Sequence, residues 1–542
     1  MKIKNTLLCL CMLSACAPTT PNLVERKLAS TIKSGKIFED VTDESGMPNL
    51  SGSAIAVFDY DRDQFPDFIV GNHLIKNVST KESIRFVDVT EQMGLTDLKG
   101  NVIWLDFDND GFGEIISTTG QIFKLNSQKK FEEVSKRYHF SLPEKVHTIS
   151  FGDIDRDGYP EIIAGMNENH VDNSFTFLPP HIYQNLKGKG FLEISNRFSF
   201  DRYPAYTRGI LWADYNNDSY PEIYFANYRL RENFFFKVRP GNMTEVSGYY
   251  NVKGTKDPNR FYDQVMKKNY GPSYGHSIGG VWADFNNDGN FDLWISNLVH
   301  KYVGTSNGGY DYRGYVCDDS KVYKNTGAPY YQLEDVRSQI GIPYMPIGDW
   351  SKYKGDELWA HTTSSDFDND GLIDLYITQV YNLKYAYSLL VKNLGNFKFK
   401  DVGENEPTRT FDSYAGAFAD FNNDGKMDLV VSGREVVDAP HRLKVFKNIV
   451  ENNYHYLKIR LNGTKSGKSP VTTKVKVVTD RGIFLRQFEG VTGTMNQQND
   501  PTLHFGLGNI DKIKYLEVNW NSGKKQIING IKVDQTYNIN EL

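Results

Sequence analysis

Short apolar segments alternate with polar, turn-forming segments along most of the chain, and the alternation repeats in a fixed order. Seven times an apolar segment leads into an acidic loop of the pattern D-x-[DN]-x-D-[G]-x-x-[DE], and a second apolar segment follows directly. Segments this short, bounded by Gly, Asn and Asp, predict β-strands joined by turns. The seven loops begin at Asp59, Asp106, Asp153, Asp214, Asp284, Asp366 and Asp420.

A second motif, F-x-[DE]-V-[TS] or a near variant, alternates strictly with the acidic loops. A third element, an apolar strand that closes on Asn, precedes most of its copies (LIKN, IYQN, VYKN and LVKN). The copies of the second motif are FEDVT from Phe38, FVDVT from Phe86, FEEVS from Phe131, FLEIS from Phe191, MTEVS from Met243, LEDVR from Leu333 and FKDV from Phe399.

These repeats predict an all-β fold, a seven-bladed β-propeller over residues 36–450. Each repeat supplies three or four short strands, and such units stack into a ring of blades. The chain opens with a lone FEDVT, whereas the last repeat, which ends at VFKN, lacks this motif. We therefore expect the N-terminal strand to complete the last blade, because closing the ring removes a free sheet edge.

Each acidic loop has the ligand spacing of a calcium site. Asp or Asn at positions 1, 3 and 5 turns three oxygens inward, a carbonyl at position 7 adds one, and Gly at position 6 permits the sharp turn. The acid lies at position 9 between strands, which excludes an EF-hand. A metal-free Asp-Asn-Gly turn is the alternative for a single loop, but seven copies in register favour up to seven calcium ions.

The predicted calcium ligands are the side chains at positions 1, 3, 5 and 9 of the seven loops. They are Asp59, Asp61, Asp63, Asp67, Asp106, Asp108, Asp110, Glu114, Asp153, Asp155, Asp157, Glu161, Asp214, Asn216, Asp218, Glu222, Asp284, Asn286, Asp288, Asp292, Asp366, Asp368, Asp370, Asp374, Asp420, Asn422, Asp424 and Asp428.

The loops differ in charge, which predicts a ranking of calcium affinity. Those with Asn at position 3 have three carboxylates instead of four and should bind more weakly, because affinity rises with ligand charge. They are the loops at Asp214, Asp284 and Asp420. Ser219 replaces Gly at position 6 of the first of these, at a backbone cost of about 1 kcal/mol. We expect that loop to lose its ion first. Gln64 creates the same strain in the loop at Asp59, where four carboxylates partly offset it.

The N-terminal residues predict export and lipid anchoring. Lys2 and Lys4 precede a short apolar run, which is the pattern of a signal peptide. Leu13-Ser14-Ala15-Cys16 resembles the lipobox of bacterial lipoproteins, which implies cleavage before Cys16 and its acylation. We expect residues 1–15 to be a signal peptide, residues 16–35 a tether, and the destination the bacterial cell envelope, with the outer membrane favoured. An ordinary signal peptide with a chance Cys is the alternative.

Residues 451–542 predict a second, smaller all-β unit. Leu457, Ile459 and Leu461 alternate with basic residues, and similar alternation recurs around Val475 and around Val518. Period-two alternation is typical of half-buried strands, and the SGKSP, DRG and NSG segments between them are turns. We predict a small β-sandwich.

Composition narrows the possible partners. The net charge is −5 with both signs interspersed, so no basic stripe for nucleic acid is present. After the leader there is no apolar run of about 18 residues, so the predicted membrane contact is the lipid anchor alone. Of four Cys, only Cys317 would remain unmodified in the mature chain, which predicts no intrachain disulfide. No H-E-x-x-H or C-x-x-C motif occurs.

The repeats resemble the FG-GAP or VCBS repeats of integrin-type propellers, and the tail resembles the ASPIC/UnbV domain. The latter resemblance rests on LKIRLNGTKSG, QNDPTLHFGLG and LEVNWNSGKKQ. Together they match the cartilage acidic protein family across nearly the whole mature chain, here as a bacterial lipoprotein member. The chain departs from the family at GKSPVTTKVKV, where relatives usually have an Asn-Arg-x-x-x-Gly-Ala run.

These features predict a calcium-stabilised surface lipoprotein that binds an extracellular glycan or protein. The alternatives are a calcium-dependent polysaccharide lyase, because some propellers resembling this one are lyases, and a purely structural envelope protein. In propellers of this type the strands that enter the calcium loops begin on the opposite face, near long insertions at 228–275 and 298–360. The candidate ligand-binding residues at these strand starts, which are equally compatible with plain polar strand caps, are His147, Arg208, His276 and His361.

Overall fold

A computed structural model describes most of the chain after residue 34. The described residues are 35–171, 174–256, 262–263, 268–269, 274–298, 318–343, 357–382, 386–492 and 495–542. The predicted lipidation site Cys16, the lone thiol Cys317 and much of the two long insertions lie outside these ranges. Among the described residues, no helix is both long enough and apolar enough to cross a membrane.

Seven four-stranded antiparallel sheets, called blades 1–7, contain most of the strands. Blade 1 consists of Ile55–Phe58, Asp67–Val70, His73–Asn77 and Phe86–Asp88. Blade 2 consists of Val102–Leu105, Glu114–Ser117, Ile122–Leu125 and Phe131–Glu133. Blade 3 consists of Val146–Gly152, Glu161–Met166, His181–Asn185 and Phe191–Glu193. Blade 4 consists of Tyr206–Ala213, Glu222–Tyr228, Phe234–Arg239 and Asn242–Glu245. Blade 5 consists of Ser277–Ala283, Asp292–Asn297, Lys321–Asn325 and Leu333–Asp335. Blade 6 consists of Trp359–Ser365, Asp374–Gln379, Leu389–Asn393 and Phe399–Asp401. Blade 7 consists of Phe411–Ala419, Asp428–Arg434, Arg442–Asn448 and the N-terminal strand Phe38–Asp40.

Two small ribbons and a few helical turns complete the described part of this region. The ribbons pair Glu168–Val171 with Ser174–Phe177 and Tyr262–Asp263 with Lys268–Asn269. The helical turns are short 3-10 segments, which cap outer strands. They are Ser135–Tyr138, Ser195–Phe198, Phe200–Arg202, Arg337–Gln339 and Gly403–Asn405.

The blades form a closed ring, which confirms the predicted β-propeller. The first strand of each blade contacts the first strand of the next, and that of blade 7 contacts that of blade 1. These first strands are called inner strands here. Phe38 pairs with Asn448 and Asp40 with Phe446, so the N-terminal strand completes blade 7 as the unmatched FEDVT motif predicts.

The Phe of the second motif explains why that motif repeats. Phe86 packs edge-on against Phe421, the second residue of the preceding blade's acidic loop, with ring centroids 5.3 Å apart. Phe191 in blade 3 likewise packs against Phe107, the second residue of the acidic loop of blade 2, with ring centroids 5.2 Å apart. Each such ring therefore fills the space between neighbouring blades, where aromatic pairs add to the energy of apolar burial.

The C-terminal sandwich consists of two sheets. One has three strands, Leu503–Gly508, His455–Asn462 and Gln535–Asn540, and the other has four, Ile483–Gln487, Lys474–Val478, Tyr515–Asn519 and Lys525–Ile528. Its apolar core, which includes Val475 and Trp520, is continuous with core residues of blades 2 to 4 such as Phe151. The sandwich and the propeller therefore share an apolar interface.

Candidate metal centres

The seven acidic loops share one backbone conformation. In every loop the residue at position 4 has a positive φ, between 54° and 63°, and the residue at position 6 also has a positive φ. Position 6 is Gly in five loops, and Gln64 and Ser219 adopt φ of 77° and 68° in the other two. Both residues therefore adopt the left-handed backbone conformation that Gly adopts without cost, as the sequence predicts.

In five of the seven loops, the first and ninth residues both accept hydrogen bonds from backbone N–H groups. In blade 6, Asp366 accepts hydrogen bonds from the N–H groups of Asp370 (3.0 Å) and Gly371 (2.8 Å). Asp374 accepts from the N–H groups of Phe367 (3.3 Å) and Asn393 (2.7 Å). These bonds orient carboxylate oxygens toward the centre of the loop before any ion arrives, which is the pre-organisation that a calcium site needs.

Four loops bring three carboxylates to within bonding range of one cation. In each, one oxygen from each of three acids lies within 4.8 Å of the others. The groups are Asp59, Asp61 and Asp67; Asp106, Asp108 and Glu114; Asp153, Asp155 and Glu161; and Asp366, Asp368 and Asp374. In the other three loops, the Asn at position 3 donates its amide to a neighbouring acid, as Asn216 does to Glu222 at 3.0 Å.

Orphaned oxygens show that these residues fit a cation. Asp59 Oδ1, both carboxylate oxygens of Asp106, Glu222 Oε2 and Asp368 Oδ1 are buried with no hydrogen-bond partner in the protein. A buried carboxylate without a partner is costly, and an oxygen-rich loop satisfies hard cations such as Ca²⁺. When bound, the ion would supply positive charge to these oxygens and hold the loop folded.

The raised pKa values of the loop acids also indicate that these clusters would be stabilised by a cation. Burial, reinforced by neighbouring carboxylates, raises the pKa of Asp67 to about 9 and that of Asp106 and of Asp153 to about 7. Burial likewise raises the pKa of Asp284 to about 7. Without a cation, each cluster holds more negative charge than its buried surroundings favour.

Basic side chains enter several of the clusters from the third strand of the same blade. Lys124 Nζ lies 2.9 Å from both Asp108 Oδ2 and Asp110 Oδ2 and also contacts Glu114. Equivalent contacts join Lys392 to Asp368 and Asp370, Lys76 to Asp61, and Arg239 to Asp218. In blade 3 this position is the neutral Gln184, 3.4 Å from Asp155 Oδ2.

The Asn that closes each LIKN-type strand is a functional residue that the sequence analysis noted without assigning a role. Asn393 Nδ2 donates to Ile373 O in its own blade (3.0 Å) and to Phe285 O in the loop of the preceding blade (2.8 Å). Its side-chain oxygen accepts from Gly395 N (2.9 Å). Equivalent bridges to two carbonyls are made by Asn77, Asn185, Asn325 and Asn448. Each of these residues, called a latch Asn here, ties one acidic loop to the next.

Comparison with known proteins divides the chain in the same way. Residues 106–164 and 366–431 match the FG-GAP-like repeat, and residues 463–542 match the domain described as ASPIC and UnbV. The chain carries both modules. It is homologous to cartilage acidic protein 1: 25% identical over 276 residues to the Xenopus tropicalis protein and 23% over 270 residues to the Homo sapiens protein.

The homologous stretch covers 50% and 49% of this chain but only 37% and 36% of those two relatives. Among solved structures, the V. cholerae biofilm matrix protein Bap1 is 12% identical, with 77% of this chain and 91% of that chain covered and a TM-score of 0.32.

The C-terminal sandwich, which contains the ASPIC and UnbV match, lies on the acidic-loop end of the FG-GAP propeller. Lys474 Nζ donates to Asp214 Oδ2 (2.6 Å) and Asn217 Oδ1 (2.7 Å). Lys458 Nζ donates to Asp420 Oδ2 (2.6 Å) and Asn423 Oδ1 (2.7 Å). Both lysines are buried, so the basic face of the sandwich neutralises acidic loops instead of facing water.

Two described parts of the same sandwich, residues 487–492 and 495–499, enter the central channel. The inner strands have one unpaired edge there, and amide side chains, which both donate and accept, pair with it. Gln498 accepts from Trp104 N (2.8 Å) and donates to Trp104 O (3.0 Å), and Asn496 Oδ1 accepts from Ile149 N (2.7 Å). Met495 N reaches Arg208 O (3.2 Å). These two parts are together called the plug here.

The four candidate ligand residues lie on inner strands of blades 3, 4 and 6 or just before that of blade 5. His276 and His361 are 0% exposed, so direct contact with a ligand would need their surroundings to move. His147 and Arg208 are half-buried and lie together, since both contact the Tyr206 hydroxyl. The His276 ring packs against Tyr228, with centroids 4.5 Å apart, and the Arg208 guanidinium lies 4.3 Å from the same ring. The structure therefore brings three of the four candidates into one cluster.

Proposed function

We propose that this protein is a calcium-stabilised, surface-exposed lipoprotein whose propeller binds an extracellular glycan or protein. The observation that carries the proposal is the asymmetry of the channel. The sandwich covers the end with the repeated loops and the plug enters the channel from there, whereas the strand starts at the other end carry side chains that differ from blade to blade. Repeat proteins place their binding residues on the variable face.

The calcium part of the proposal rests on the pre-organised loops and their orphaned oxygens. Each ion held at about ten times its dissociation constant contributes about 1.4 kcal/mol to the free energy of unfolding. Up to seven loops of one conformation then stabilise the ring that presents the binding face.

The binding part is tested with a glycan array and a pull-down of extracellular proteins. Wild type is compared with a deletion of residues 303–314, a Gly- and Tyr-rich stretch of the insertion after blade 5 whose structure lies outside the described residues. We expect the deletion to abolish binding while the calcium-dependent melting curve stays unchanged. Full binding by the deletion variant would move the site to another part of the chain, and a parallel loss of thermal stability would make the stretch structural.

Lipid anchoring is tested separately, with Cys16→Ala. The lipobox predicts that this variant accumulates as uncleaved precursor or as soluble protein, whereas the wild type carries acyl chains. Intact mass spectrometry that found an unmodified wild-type N-terminus at another residue would refute the anchor without affecting the binding proposal.

We propose no catalytic activity. A lyase would release unsaturated uronate products from acidic polysaccharides, with calcium required. A product screen with and without calcium distinguishes this alternative, and calcium-dependent product release would replace the binding proposal with an enzymatic one.

A further inference from the structure

Five inner strands carry a register irregularity near their start, at the end of the channel away from the acidic loops. The shifts lie between 146 and 148, 207 and 209, 277 and 279, 359 and 362, and 411 and 415. A β-bulge turns the extra residue away from the regular alternation and re-aims its side chain, and bulges are common beside functional sites. The residues displaced in this way include His147, Arg208, Ile278 and Tyr414.

The bulges of blades 3 and 4 bring a basic and aromatic cluster together. The Arg208 guanidinium lies 4.3 Å from the centroid of the Tyr228 ring and 5.0 Å from that of the Tyr206 ring. Arg208 Nη2 donates to the Tyr206 hydroxyl at 3.2 Å, and His147 Nδ1 lies 3.4 Å from the same oxygen. Planar aromatic faces on a guanidinium hold it in one orientation.

Arg208 has no carboxylate partner among the residues that the structure describes. Its Nε and the Nε2 of His147 are buried with no hydrogen-bond partner in the protein. Other arginines at this end of the channel are paired: Arg229 with Glu168 at 3.0 Å and Arg434 with Asp412 at 3.0 Å. A half-buried guanidinium fork without an anion is a ready-made site for a carboxylate, which it can bind through two parallel hydrogen bonds.

The surroundings favour a saccharide as the bearer of that carboxylate. Tyr206 and Tyr228 belong to an apolar cluster whose partly buried members are Phe177, Tyr381 and Tyr414. Partly exposed aromatic rings offer flat apolar faces against which a sugar ring can pack. The plug lies beneath, since Met495 N donates to Arg208 O. The cluster therefore lies above the plug, and it is called the basin here.

We infer that this basin binds a uronate unit of an acidic glycan, with Arg208 anchoring the carboxylate and Tyr414 packing against the sugar ring. The inference rests on the proposed binding function and names its ligand class. Burial, reinforced by the charge of Arg208, lowers the pKa of His147 well below its usual value. Its Nε2, which has no hydrogen-bond partner in the protein, is placed to add a hydrogen bond. The site is distinct from the acidic loops, because it lies at the other end of the same inner strands.

Isothermal titration with a short oligogalacturonate, in calcium buffer, tests the inference on the full chain. We expect binding by wild type, a loss of about tenfold or more in affinity for Arg208→Gln, and no binding of a neutral galacto-oligosaccharide of the same length. Arg208→Lys should fall between, because it keeps the charge and loses the planar fork. Arg137→Gln is the matched control, since Arg137 also lies over a tyrosine ring (5.5 Å from the Tyr138 centroid) but on the outside of blade 2.

A second variant guards against misfolding of the first. Tyr414→Ser leaves Arg208 intact and should weaken binding several-fold with the calcium-dependent melting curve unchanged. If wild type and Arg208→Gln bind the oligogalacturonate equally, the inference fails while the proposed binding function stands. If an acidic peptide binds at Arg208 and the uronate does not, the ligand class is wrong. If the wild type binds nothing on the glycan array or in the pull-down, the proposed function fails as well.

Discussion

The two ends of the central channel are built from the same seven inner strands, yet they obey different rules. At the acidic-loop end, the seven loops repeat one backbone conformation, one spacing of acids and, in five blades, one latch Asn. At the bulge end, the displaced residues are histidine, arginine, isoleucine and tyrosine in different blades. Repetition at one end fits a scaffold, and variation at the other fits recognition.

The comparison also explains where the C-terminal sandwich lies. Acidic loops that are buried need positive charge, and the sandwich brings Lys458 and Lys474 to two of the three loops that have Asn at position 3. In both loops the ammonium group contacts Oδ2 of the first acid and the side-chain oxygen of the Asn at position 4, which offsets the charge of the loop. In the part of the chain that the structure describes, the sandwich reaches the bulge end through the plug, where Met495 N donates to Arg208 O.

Removal of calcium should have the largest effect, and it should act on the loop end. Excess chelator is expected to lower the free energy of unfolding by up to about 10 kcal/mol, which is comparable with the whole stability of a typical domain. The melting temperature followed by circular dichroism, with magnesium added in place of calcium as the control, measures this effect. A melting curve that chelation leaves unmoved would mean that the loops are not occupied sites.

Removal of a latch Asn should cause a smaller loss in the free energy of unfolding at the same end. Asn393→Ala leaves two buried carbonyls, Ile373 O and Phe285 O, without that donor and should cost about 3 kcal/mol. Asn126→Ala in blade 2 is the control, because Asn126 Nδ2 reaches only Glu132 at 3.5 Å. Urea unfolding in calcium measures both variants. Equal losses would show that the bridge between loops adds nothing.

Acid should act on the bulge end through His361. Burial lowers the pKa of His361 to about 3, against about 6.5 in an unfolded chain. The unfolded state therefore takes up the proton first, and the stability from the neutral ring is complete above pH 6.5 and lost as the pH falls toward 3. By pH 5 the wild type should lose about 2 kcal/mol that His361→Gln does not lose. Parallel pH profiles for the two proteins would show that the ring is hydrated.

The smallest predicted effect compares two loops of equal carboxylate count. Lys124 occupies the acid cluster of blade 2, whereas blade 3 has Gln184 at this position. Calcium must displace the ammonium group, so Lys124→Gln should raise the affinity of that loop by about tenfold, or about 1.4 kcal/mol. Gln184→Lys should do the reverse in blade 3. Calcium titration of the two variants measures both, and unchanged affinities would mean that the lysine leaves without cost.

The sequence predicts the scaffold well because the scaffold is local and repeated. Positions 1 to 9 of each loop, the positive φ at Gln64 and Ser219, and the closure of blade 7 by Phe38–Asp40 all follow from short motifs. The alternation around Lys458 and Lys474 predicts strands, but it does not reveal that their polar face meets acidic loops more than 30 residues away.

The remaining features depend on contacts between distant parts of the chain. Gln498 pairs with Trp104 across 394 positions, and the only local signal for the plug is the amide-rich run MNQQND. The latch Asn recurs at the end of the LIKN-type strands, but the sequence does not predict its second hydrogen-bond partner, because that carbonyl lies in another blade. The bulges that join His147 to Arg208 leave no signature in the spacing, so the sequence named the residues without showing which of them meet.

The number of calcium ions bound per chain tests the central claim most directly. Elemental analysis of the purified protein, after gel filtration in buffer without added calcium, gives this number. The account predicts at least four tightly held ions, one for each cluster of three acids, and up to seven when calcium is added. Fewer than one ion per chain, in calcium and at neutral pH, would contradict it.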